Sequence, residues 1–175
     1  MASRRPLLTV RISILGLCCV ALLTACGSPA TTDTTSSEIS MTPAQSSAAI
    51  EGVSVSGSPG AYQFSVTIRS PDTGCDQYAD WWEVTDESGQ LLYRRILAHS
   101  HVDEQPFSRS GGPVPLQPGD TAIVRAHMNT SGYGQQAYQG QVTSEGDADF
   151  QTVTLAPGFA ADLAQQEPLP TGCAF

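Results

Sequence analysis

Thr121-Ala122-Ile123-Val124-Arg125-Ala126-His127-Met128 is framed by Pro118-Gly119-Asp120 before it and by Asn129, Gly132 and Gly134 after it. Turn formers at both ends of a short run containing Ile and Val predict a strand. Side chains of a strand point alternately to opposite faces. Ala122, Val124, Ala126 and Met128 therefore share one face, expected to be core, and Ile123, Arg125 and His127 share the other.

The same period of two recurs on either side. Val53 and Val55 belong to a first strand, and Tyr62, Phe64, Val66 and Ile68 to a second, with Ser58-Pro59-Gly60 as the turn between them. A third strand runs from Asp80 to Thr85, the turn Asp86-Glu87-Ser88-Gly89 follows, and a fourth covers Gln90 to Ala98. The next region, with Pro106, Gly111, Gly112, Pro113 and Pro115, reads as looser. Beyond Met128, a strand is expected over Ala137–Thr143, a further one over Gln151–Leu155, and a short helix over Phe159–Gln166. About seven short strands separated by turn residues predict an all-β fold, a β-sandwich.

On the third strand Trp82 and Val84 share a face, and Trp81 and Glu83 the opposite one. Trp82 is expected in the core and Trp81 outside. In such a sandwich the third, fourth, sixth and seventh strands share a sheet. Its outer face would gather Trp81, Glu83, Arg95, Arg125 and His127, together with His99 if the fourth strand continues. If exposed, Trp81 with Tyr78 and Tyr93 would suit a protein or carbohydrate ligand; the alternative is that these aromatic groups simply pack in the core.

Leu116-Gln117-Pro118-Gly119-Asp120 through Asn129, with Gly132 and Gly134 behind, resembles a segment of fibronectin type III modules. Their pattern there is L-x-P-x-T-x-Y-x-V-x-V-x-A-x-N before a Gly-rich turn. Ala122 stands near the place of the pattern's tyrosine. The resemblance implies an immunoglobulin-like or fibronectin type III-like sandwich and no activity, because this architecture hosts many functions. The block Gly74–Gly134, with GCDQYADWWEV, RRILAHSHVDEQPF, RSGGPV and VRAHMN, also resembles an uncharacterised family of bacterial exported proteins.

Three imidazoles invite a metal reading. His99 and His101, two apart on an extended chain, point the same way, and His127 from a facing strand could complete a set competent for Zn²⁺ or Cu²⁺. His99-Ser100-His101, Glu104 and Gly111 are similar to the cupin motif H-x-H-x(3,4)-E-x(6)-G. The glutamate comes one residue early, and no Pro-x-Gly-x-x-His element follows. The alternative is that histidines beside Asp103 and Glu104 make ordinary surface hydrogen bonds and no cofactor is held. No G-x-S-x-G elbow, P-loop or Rossmann glycine fingerprint is present. A binding module is expected ahead of an enzyme.

The first residues bear on location. Arg4, Arg5 and Arg11 precede an apolar run, Ile12–Ala25, shorter than the roughly 20 residues a bilayer span needs. That is the layout of a signal peptide over 1–25 rather than a transmembrane anchor. Leu23-Thr24-Ala25-Cys26 resembles the lipobox of bacterial lipoproteins, which implies a diacylglyceryl thioether on Cys26 and a mature chain beginning there. Residues 26–49, rich in Ser, Thr, Ala and Pro, read as a flexible tether, and 50–175 as the folded domain. Gly27 is not the aspartate of inner-membrane retention. The expected location is therefore the outer membrane if the cell has one, and otherwise the outer face of the plasma membrane.

The chain has 8 basic and 17 acidic residues and no lysine, a net charge of −9. Loss of 1–25 removes three arginines and brings the charge to −12. Such a surface repels nucleic acid and anionic headgroups, so the acyl chains would hold the protein to the membrane. Cys18 and Cys19 leave with the signal, and Cys26 carries lipid. Cys75 and Cys173 remain, and in an oxidising compartment they are expected to form a disulfide; free thiols or a metal site are the alternative.

Overall fold

The structure, a computed structural model, describes residues 46–146 and 149–174. The signal, the lipid site and the tether up to residue 45 lie outside the described residues. Nine strands and one short helix follow in order: β1 (Ala49–Ser56), β2 (Tyr62–Arg69), β3 (Ala79–Thr85), β4 (Leu91–Ile96), β5 (Phe107–Val114), β6 (Thr121–Met128), β7 (Gly132–Tyr133), β8 (Gln136–Gln141), β9 (Gln151–Thr154) and a 3₁₀ helix (Ala161–Gln165). The strands form two antiparallel sheets. The smaller has the order β1-β2-β5; the larger has the order β4-β3-β6-β8-β9, with β7 paired to β6. The fold is an all-β sandwich.

Period-two patterning builds the core. Tyr62, Phe64, Val66 and Ile68 of β2 are buried, as are Trp82 and Val84 of β3 and Ala122, Val124, Ala126 and Met128 of β6. Trp82 is the core tryptophan. β3, β4, β6 and β8 share one sheet, as expected of the strands that carry Trp81, Arg95, Arg125 and Ala137.

Three segments differ from the sequence reading. Residues 107–114, read as loose, form β5 and pair with β2. β5 lies at a sheet edge, where Pro113 and its missing N–H can be accommodated. Gly111 is required by packing: a Cβ there would lie 2.5 Å from the Tyr93 hydroxyl oxygen and 3.0 Å from the Trp82 ring. The fourth strand stops at Ile96, which leaves His99 and His101 in the connection to β5. The expected helix at 159–166 is a single 3₁₀ stretch over Ala161–Gln165.

The largest difference concerns β3 and the outer face of the large sheet. All seven residues of β3 are buried, including Glu83, as are seven of the eight in β6. Both faces are covered. The two sheets enclose one face, and the C-terminal segment 155–174 lies across the other. Its end is joined to the turn ahead of β3 by the Cys75–Cys173 disulfide, whose Cα atoms are 5.6 Å apart.

Candidate functional site

The antiparallel register places Arg94 and Arg125 directly beside Glu83 on its two flanks. Residues paired across a ladder share a face, so Arg94-Glu83-Arg125 is one row across β4, β3 and β6. This corrects the expectation for Arg95, which pairs with Trp82 and is exposed. A one-residue difference in register exchanges the faces of a strand, and sequence alternation alone does not fix it.

Glu83 is held by both arginines. Arg94 donates from Nε (2.9 Å) and Nη2 (2.6 Å) to Oε2, and Arg125 donates from Nε to Oε1 (2.8 Å). The Tyr133 hydroxyl adds a bond to Oε2 at 3.1 Å. Two cations against one carboxylate leave an excess positive charge, and the C-terminal segment meets it with backbone carbonyls. Arg125 donates to Phe159 O (2.6 Å) and Ala160 O (2.8 Å). Arg94 reaches Leu163 O (2.7 Å), Gln166 O and Pro168 O (3.1 Å). The guanidinium groups also stack, Arg94 4.4 Å from the Trp81 centroid and Arg125 3.6 Å from that of Tyr133. Burial, and after it Glu83, pushes the Tyr133 hydroxyl up to about 12, so it stays protonated and donates. Glu83 and Arg125, expected to face a ligand, face the protein's own tail.

One row further along, Trp81 pairs with His127 and His127 with Tyr133. The His127 ring lies flat on Trp81, 3.6 Å between centroids and 7° between planes, with the Tyr133 ring edge-on at 4.7 Å. Its Nδ1 is 2.7 Å from Asp80 Oδ1. Strict alternation would turn Asp80 away from this face, but the β3–β6 register shifts between Ala79 and Trp81. Such an irregularity re-aims a side chain, and it joins Asp80 to His127. Trp81 is 3% exposed and Tyr78 4%, so both are packed inside the protein, and neither forms an open aromatic platform for a carbohydrate.

The three imidazoles do not converge. His101 is stacked on Phe107 of the inter-sheet core at 3.7 Å, with His99 beside it at 4.5 Å. His127 lies against Trp81 on the other face of the large sheet. Among the described residues no group of three or more His, Cys, Asp or Glu side chains is arranged to hold a metal ion. The Zn²⁺ or Cu²⁺ set of His99, His101 and His127 is thus not assembled.

Two hollows flank the 3₁₀ helix, and His127 and Ala164 line both. One, of about 250 Å³, is bounded by β7, Leu155, Ala156, Phe159 and the helix. The other is a more open cleft bordered by the disulfide, Tyr78, Asp80 and Asn129. His127, Asp80, Trp81, Tyr133 and Phe159 make up the candidate site. Sequence reasoning named Trp81 and His127 but missed Asp80, Tyr133 and Phe159. The Gly-Tyr-Gly behind β6 was the available signal for Tyr133.

Comparison with curated proteins finds a chain from Halomicrobium mukohataei (strain ATCC 700874 / DSM 12286 / JCM 9738 / NCIMB 13541), described as a "Putative lipoprotein". It is 46% identical over 78 residues, which cover 44% of this chain and 38% of that one. The chain thus spans less than two fifths of the length of this relative. No described protein family matches, and no solved structure does either.

Proposed function

We propose that the protein is an exported lipoprotein whose β-sandwich is a ligand-binding module of the cell envelope. Residues 1–25 act as the signal, Cys26 carries the lipid, 26–49 form a tether, and the domain follows. The reading rests on Leu23-Thr24-Ala25-Cys26 behind a short apolar run, and the relative's description agrees with it. A disulfide between Cys75 and Cys173 suits an oxidising compartment. Two or more acyl chains on Cys26 would hold the domain stably on a membrane, the outer one where the cell has two.

The binding reading is carried by the outer face of the large sheet. Glu83, Arg94 and Arg125 are engaged within the protein, while His127 faces the hollows beneath the C-terminal segment. Lipidation is tested by feeding producing cells labelled palmitate. The chain is expected to take up label and sediment with membranes, and Cys26→Ala to lose both. Label retained by Cys26→Ala, or an unlabelled wild-type chain, refutes the anchor.

A further inference from the structure

The 250 Å³ hollow beside β7 has a defined chemistry. Its walls are the rings of Tyr133 and Phe159, Leu155, three alanines and three glycines, with Gln135, Arg125 and His127 as the polar side chains. Arg125 is the one permanently charged side chain in the lining, and it is tied to Glu83 and two carbonyls. Asp80 is engaged by His127. Among the described residues no unengaged charge lines the hollow to pair with an ionised ligand, and burying an ion without a partner is costly.

Of the two neutral polar side chains in the lining, Gln135 is exposed, and the buried His127 supplies the polar contact. Its side chain is 10% exposed. A carboxylate can only accept, so in the neutral form of the ring Asp80 holds the proton on Nδ1, and Nε2 is then a lone-pair acceptor. Nε2 has no hydrogen-bond partner among the described residues. Gly132 flanks it without a side chain; a Cβ there would lie 3.9 Å from Nε2. Size sets the remaining limit. The volume is below the roughly 300–1,000 Å³ of sites for drug-sized ligands, and an apolar cavity of roughly 150 Å³ is enough for benzene.

We propose that this hollow binds a small, neutral, single-ring compound bearing a hydroxyl group, phenolic in type, whose O–H donates to His127 Nε2 while the ring packs against Tyr133 and Phe159. The proposal rests on the reading of the domain as a binding module and names its ligand class.

The chain has three histidines, so ¹⁵N-labelled imidazoles give a small, assignable set of signals. The full chain, purified as the producing cell matures it, is titrated with p-cresol, toluene and benzoate. With p-cresol the His127 Nε2 signal should move saturably while those of His99 and His101 stay. Toluene, which lacks the donor, should bind about tenfold more weakly. Benzoate should give no saturable shift. Ala164→Leu should fill the hollow and abolish the p-cresol response while leaving the His127 Nδ1 signal in place. Absence of a saturable His127 shift with p-cresol, equal affinity for toluene, or a persistent response in Ala164→Leu overturns the proposal. Binding of benzoate at His127 overturns the ligand class and leaves the binding module standing. The lipid anchor is tested separately by the palmitate label.

Discussion

Glu83 is a carboxylate with no exposed side-chain surface, and two guanidinium groups and a phenol converge on it. A buried ion pair adds little net stability over an apolar substitute, but removing one partner leaves the others uncompensated, at about 3–5 kcal/mol. Glu83→Gln keeps the shape and removes the charge, leaving Arg94 and Arg125 side by side. It should lower the stability by about 3–5 kcal/mol, read as a reduced urea midpoint with an unchanged slope. The residue types of this row were legible, since Glu83 and Arg125 were placed together on one face. The third member was not. Arg94 and Arg95 are adjacent arginines, and the choice between them is set by the β3–β4 register, where Glu83 meets Arg94. Asp80 escaped for a related reason, because the irregularity at Ala79–Trp81 breaks the alternation that would have hidden it.

At the scale of elements, the connection from β4 to β5 stores a pH dependence. His101 is 3% exposed, and neither ring nitrogen has a partner among the described residues. Asp72 Oδ2 instead accepts from the His101 backbone N–H at 2.8 Å, and its distance to Nδ1 is 3.9 Å. Burial, with Arg109 and His99 adding to it, lowers the His101 pKa below 6.5, against the opposing pull of Asp72 and Glu104. Below pH 6.5 the unfolded chain therefore takes up a proton that the native one refuses. Stability from this group is full above that pH and is lost as pH falls toward the native pKa. Thermal unfolding of wild type and His101→Phe at pH 7.5 and pH 5 should show it, with wild type losing more Tm on acidification. An equal loss in both would remove His101 from the account. β1, β2 and β6 were legible as elements because apolar residues recur at every second position in them. β5 was not, because Gly111, Gly112 and Pro113 are disfavoured in strands and are tolerated here by an edge position and a close approach of Tyr93.

For the whole molecule, the sandwich was legible from turn spacing and patterning, whereas the covering of its outer face was not. The segment 155–174 contains no strand-like or helical run long enough to announce where it packs, and its attachment is through backbone carbonyls, which every sequence has. The two cysteines gave the one indication, and the disulfide joins positions 98 residues apart. Replacing Cys75 and Cys173 by serine should cost about 2–4 kcal/mol. Amide exchange should rise first over 159–174, with the β3 and β6 amides remaining protected until global unfolding. Uniform acceleration across β3 and β6 would mean that the segment and the sheet open as one.

That cross-link also determines how the domain bears tension. A pull that enters through β1 and leaves past Cys173 passes across the sulfur bridge and bypasses β3 to β9, the clefts at His127 and the row at Glu83. Only the stretch ahead of Cys75 can be drawn out, chiefly β1 and β2. The bridge withholds roughly 320–350 Å of chain from extension. A module held at one end and loaded at the other would thus yield first in its smaller sheet, while residues 75–173 stay closed in one covalent loop.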